Sequence, residues 1–126
     1  MRQNDNGLEL IYLAQLLYHL SSTEVNAKVS QIYGELKNKH FNNSFEATDA
    51  IKKTQAYMVL ETTNEVLNIL NDISDITIQS KLLQFFNKVS IKKCNNFNEM
   101  MDKITNEMNI VVKRIFNRAA KALTRW

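Results

Sequence analysis

A chain of 126 residues, 44% hydrophobic and 23% charged, is long enough for one domain with a buried core and too apolar for disorder. Two glycines and no proline leave too few turn-formers for a sheet protein of this size, and they exclude a glycine-rich phosphate loop. The net charge of +3 is unevenly spread, with six Lys/Arg against ten Asp/Glu in residues 1–80 and ten against three in residues 81–126.

The first predicted helix covers residues 8–20, after Asn4-Asp5-Asn6-Gly7. Leu10, Ile11, Leu13, Leu16, Leu17 and Leu20 leave it little polar surface beyond Tyr12, Tyr18 and His19, so it is expected deep in the core, with His19 a hydrogen-bonded residue at its edge. Glu9 and Gln15 interrupt the apolar run and no small-x-small cleavage site follows, which reads as a core helix rather than a leader. Ser21-Ser22-Thr23-Glu24 is a capping box that opens a second helix with a seam of Val25, Val29, Ile32, Tyr33 and Leu36. Gly34 inside that helix marks an expected close helix crossing, and Lys37, Lys39 and His40 suit its negative end.

Asn42-Asn43-Ser44 is the clearest loop, with a second capping box from Asn43 to Glu46. A long third helix is predicted over residues 45–74, with Ala47, Ile51, Met58, Val66, Leu70 and Ile73 in the core. Asp75 is expected to cap a shorter helix holding Ile78, Leu82, Phe85, Phe86 and Val89. Lys92-Lys93-Cys94-Asn95-Asn96 leads into the last helix, residues 97–126. Its apolar stripe of Phe97, Met101, Ile104, Met108, Val111, Ile115, Ala119, Ala122 and Trp126 advances in steps of three and four. The expected fold is all-α, a compact single-domain bundle of four to five mainly antiparallel helices with long third and C-terminal helices.

Catalytic chemistry is not apparent. His19, His40 and Cys94 have no zinc-finger, His-Glu-x-x-His or EF-hand spacing, so no metal and no cofactor is expected. No Arg precedes either His at the spacing of HEPN-type helical ribonucleases, and the chain does not resemble them. Cys94 beside Lys92 and Lys93 is read as a packed thiol ahead of a reactive one, and a single cysteine fits a reducing, cytoplasmic setting.

Two charged faces remain. Glu61, Glu65, Asn68, Asp72 and Asp75, at steps of four, three, four and three, form an acidic face on the third helix and its exit. Asp72 there meets the negative end of the helix dipole, which costs roughly 0.3–1 kcal/mol and calls for a cation from this chain or a partner. Arg114, Arg118, Lys121 and Arg125, with Lys113 nearby, form a basic stripe on the last helix. The two faces are natural mates across an antiparallel pair of helices.

The preferred reading is a non-enzymatic inhibitor or adaptor that binds a protein partner, such as a bacterial immunity or antitoxin protein whose carboxylates meet a basic, nuclease-like target. The alternative is a nucleic-acid-associated regulator using the basic stripe, helped by Phe116 and Trp126. A homodimer or assembly subunit built on the last helix is the third reading. Membrane attachment through that helix is not expected, because its apolar stripe is needed for a core.

Overall fold

Side chains that satisfy the free amides at helix starts divide the chain into six helices. The computed structural model describes residues 4–124, with side chains from residue 7 onward. Among these residues the elements are α1 Asn4–His19, α2 Ser22–Leu36, α3 Ser44–Lys52, α4 Gln55–Asn71, α5 Ile76–Val89 and α6 Phe97–Leu123, with no strand. Arg125 and Trp126 of the predicted last helix lie outside the described residues.

Four of the boundaries follow from local chemistry visible in the sequence. Ser21 Oγ accepts the Glu24 amide at 3.3 Å, Asn43 Oδ1 the Glu46 amide at 2.9 Å, and Asn96 Oδ1 the Glu99 amide at 2.8 Å. Asp75 Oδ1 accepts the amides of Thr77 at 2.8 Å and Ile78 at 3.3 Å. Each removes an unsatisfied donor from a first turn. The Glu46 carboxylate reaches back to the Asn42 amide and that of Glu99 to Asn95, one residue before the cap in both cases.

The long third helix does not form. Thr54, 3% exposed, takes an extended conformation with φ −75 and ψ 155. Its hydroxyl donates to the Ile51 carbonyl at 2.7 Å and accepts the Tyr57 amide at 3.1 Å. One side chain thus closes α3 and opens α4, which raises the helix count above the expected four or five. The break also resets the helical phase. Ala47 and Ile51 are buried in α3, but the buried row of α4 is Ala56, Leu60, Thr63, Leu67 and Leu70. Met58, expected in the core, is 47% exposed, and Val66 and Ile73 are half-buried.

Three further expectations give way. α1 begins at Asn4, so Gly7 is helical, and Leu8 and Ile11 form an exposed flank beside the expected polar edge of Tyr18, instead of a deeply buried helix. Leu13 and Leu16 alone are fully buried there. In α2, Tyr33 faces water while Lys28 is only 5% exposed, its stem packed and its ammonium held by Glu24. Gly34 is exposed, and a Cβ built on it would meet nothing within 4 Å, so it marks no close crossing.

The last helix is organised as its stripe predicts. Phe97, Met101, Ile104, Met108, Val111, Ile115 and Ala119 are buried, with Met100 added to the row and Ala122 only half-buried. α6 packs against α2, α3, α4 and α5. Its first half, Phe97 to Met108, joins a cluster with Leu13, Leu16, Leu70, Leu82 and Phe86. Its second half, Val111 to Ala119, joins another with Val25, Ile32, Leu36, Ala47 and Ile51. α4 also serves both, through Ala56 and Leu60 at its start and Leu67 and Leu70 at its end. Because the start of α4 shares a cluster with the end of α6, the two pass in opposite senses. No helix among the described residues is long and apolar enough to cross a membrane.

Candidate functional site

The acidic face begins on the exposed side of α4. Glu61, Glu65, Asn68, Asp72 and Asp75 are all exposed, but they do not share one environment. Glu61 and Glu65, with Asn64 between them, wall a groove of about 680 Å³ between α4 and α6. Tyr57, Leu60, Met108 and Val112 supply its apolar lining, and Asn109 and Lys113 lie on the α6 side. Asn68 and Asp72 continue the face beyond the groove. Asp75 stands in the turn, with its carboxylate occupied in capping α5.

Among the described residues, Glu61, Glu65 and Asp72 have no basic side chain within ion-pair distance. Asp72 is the C-cap of α4, whose last turn contains no basic residue. Among the described residues no cation compensates its charge at the negative end of the helix.

The basic stripe does not mate with this face. Arg114, Arg118 and Lys121 are exposed, and the Arg118 guanidinium donates to Asn26 Oδ1 of α2 at 2.8 Å. α6 turns that arc towards α2, whereas Lys113, on another side of the helix, enters the acidic groove. The sequence spacing of each stripe was readable, but their relative rotation depends on packing. Arg125 falls outside the described residues. Phe116 is not a free stacking platform: its ring meets Tyr57 edge-on at 5.9 Å, with the Lys52 ammonium 5.9 Å from the ring centroid.

A second polar cluster, not foreseen from the sequence, sits at the elbow between α1 and α2. Lys28 Nζ lies 2.8 Å from Glu24 Oε1, and His19 Nδ1 is 3.9 Å from the same oxygen. The hydrogen bond from Lys28, then that from Tyr18, holds the Glu24 carboxyl below its ordinary range. Burial, then the Lys28 charge, pushes the His19 imidazole down. Among the described residues His19 Nδ1 is buried without a hydrogen-bond partner, so His19 is not the satisfied edge residue expected. The burial of Lys28 is what the sequence concealed, since it occupies an apolar seam position.

Cys94 is buried, and burial, then the charge of Glu99, pushes its thiol up. Lys93 does not activate it; its ammonium donates to the Asn87 carbonyl at 2.6 Å. Among the described residues no three His, Cys, Asp or Glu side chains are grouped so as to hold a metal ion. No family model, no curated protein and no solved structure matches this chain.

Proposed function

We propose that this is a non-enzymatic protein-binding inhibitor or adaptor, of the immunity or antitoxin kind, that acts in the cytoplasm on a basic, nuclease-like partner. The observation that carries the reading is that Glu61 and Glu65, beside an apolar groove lining, have no ion-pair partner among the described residues. Carboxylates placed there offer charge to a partner's Lys and Arg, while Leu60, Met108 and Val112 mark where an apolar anchor is accommodated. Asp72 adds a charge that gains from a cation supplied by the partner. Polar carboxylates steer association, and the apolar floor supplies the slow dissociation that an inhibitor needs.

The test is affinity capture from host lysate with the chain as bait, compared with the triple variant Glu61→Lys, Glu65→Lys, Asp72→Lys. A nuclease-resistant protein retained by the wild type and lost from the variant, at unchanged helix content, is the expected result. Equal retention by both chains would sink the reading.

The second reading is a nucleic-acid-associated regulator. It is supported by the exposed arc of Arg114, Arg118 and Lys121, which no carboxylate neutralises among the described residues. It requires binding whose affinity falls steeply with salt, through counterion release. Arg118→Ala with Lys121→Ala then flattens that salt dependence.

A further inference from the structure

Ile91, in the connection between α5 and α6, is 99% exposed, and Val89 two residues before it is 55% exposed. This connection is braced at several points. The Asn87 side chain holds Cys94 at both ends, Nδ2 donating to its carbonyl at 2.9 Å and Oδ1 accepting its amide at 2.8 Å. Ser90 Oγ donates to the Lys92 carbonyl at 2.9 Å. The bonded loop therefore holds the isoleucine out in water and opposes its folding back onto the core. Nor is Ile91 an isolated apolar residue. It and Val89 line a groove of about 620 Å³ together with Leu17, Leu20 and Phe86, with Lys92 and the Lys103–Glu107 pair of α6 also on its wall.

Charge distinguishes among the surfaces able to cover this tip. Lys88, Lys92 and Lys93 are exposed around it, and residues 88–93 contain no carboxylate. Of the nearest acids on α6, Glu107 is paired with Lys103 at 2.9 Å and Glu99 accepts the Asn95 amide at 3.2 Å; Asp102 is exposed. A projecting apolar tip ringed by lysines fits a deformable anionic layer, which admits it without a preformed socket. We infer that the loop around Ile91 is a docking point for an anionic lipid bilayer. Ile91 and Val89 enter the boundary between headgroups and acyl chains, and the ammonium groups of Lys88 and Lys92 face the lipid phosphates, while that of Lys93 is held on the Asn87 carbonyl within the loop. This use of the chain is independent of the acidic face on α4, and it leaves the apolar seam of α6 in the core.

The test is co-sedimentation of the full chain with phosphatidylcholine vesicles, with and without phosphatidylserine, at low and moderate salt. The expected result is binding that needs phosphatidylserine, weakens with salt, and falls roughly tenfold or more in Ile91→Ser, a change that alters no charge. Both chains are checked for equal helix content. In a Trp126→Phe background, Ile91→Trp reports insertion directly through a blue shift of its emission on vesicles. Binding equal in wild type and Ile91→Ser, or Trp emission unchanged on vesicles, would overturn the inference by reducing the contact to surface charge. No binding to phosphatidylserine vesicles would also overturn it, in favour of an acidic protein as occupant.

Discussion

Glu35 caps a helix that starts twenty residues after it: its Oε1 accepts the amide of Gln55 at 2.9 Å. Its second oxygen accepts the Ala56 amide at 3.2 Å, so one carboxylate satisfies two donors in the first turn of α4. The negative charge also meets the positive end of the helix dipole. Glu35→Ala is expected to destabilise the fold by about 1–2 kcal/mol in urea titration, in the range of a lost N-cap. Glu35→Asp, too short to reach both amides, should recover only part of this.

Thr54 tests the division between α3 and α4. In Thr54→Val the shape survives but the hydroxyl is gone, leaving the Tyr57 amide without its side-chain acceptor. A loss of about 1–2 kcal/mol is expected by chemical denaturation. A variant as stable as wild type would mean that the hydroxyl does not maintain the break.

Gly34 offers the opposite sign. It is helical and exposed, with open space where a Cβ would stand. Gly34→Ala should stabilise the protein by roughly 0.5–1 kcal/mol, read as a higher denaturation midpoint at unchanged slope.

The elbow of α1 and α2 makes stability depend on pH. The His19 pKa is depressed on folding, so the unfolded chain binds the proton more readily. Stability is therefore fully present above the ordinary value of 6.5 and is lost as pH falls through the lower folded value. Glu24 is also depressed, and its contribution is lost at more acidic pH, below its ordinary value of 4.5. Thermal melts across this range should decline in two stages, and His19→Gln should remove the first. An unchanged first stage in that variant would assign it elsewhere.

Cys94 should react slowly with a thiol reagent in the native state and rapidly once unfolded, because it is buried and its thiol is pushed up. Asn87→Ala removes both clamps on its backbone and should speed labelling several-fold under native conditions. Equal rates would show that the core, not the clamp, controls access.

What could be read from the sequence was the chemistry that closes within a few residues. Ser21, Asn43 and Asp75 meet amides two or three positions ahead, and the α6 stripe keeps one phase from Phe97 to Ala119. The exposed placement of Glu61, Glu65 and Asp72 belongs to the same class, since helical spacing alone gathers them on α4. Thr54 was hidden because the apolar residues around it permit an unbroken helix, and its opposing bonds to Ile51 and Tyr57 arise only in the folded backbone. Glu35 and Lys28 owe their roles to neighbours on other turns and elements. The groove beside Glu61 needed the rotation of α6, which no periodicity within α4 contains.

The sharing of α6 between both hydrophobic clusters bears on how the chain is made. A ribosome produces α1 to α5 first, and at that stage Leu13, Leu16 and Phe86 lack Met100, Ile104 and Met108, while Ile32 and Ile51 lack Val111 and Ile115. α1 already has α4 and α5 to pack against, and α2 has α4, but neither cluster is complete without α6. Both clusters are completed only when the seam beginning at Phe97 is released, and both ends then share one template.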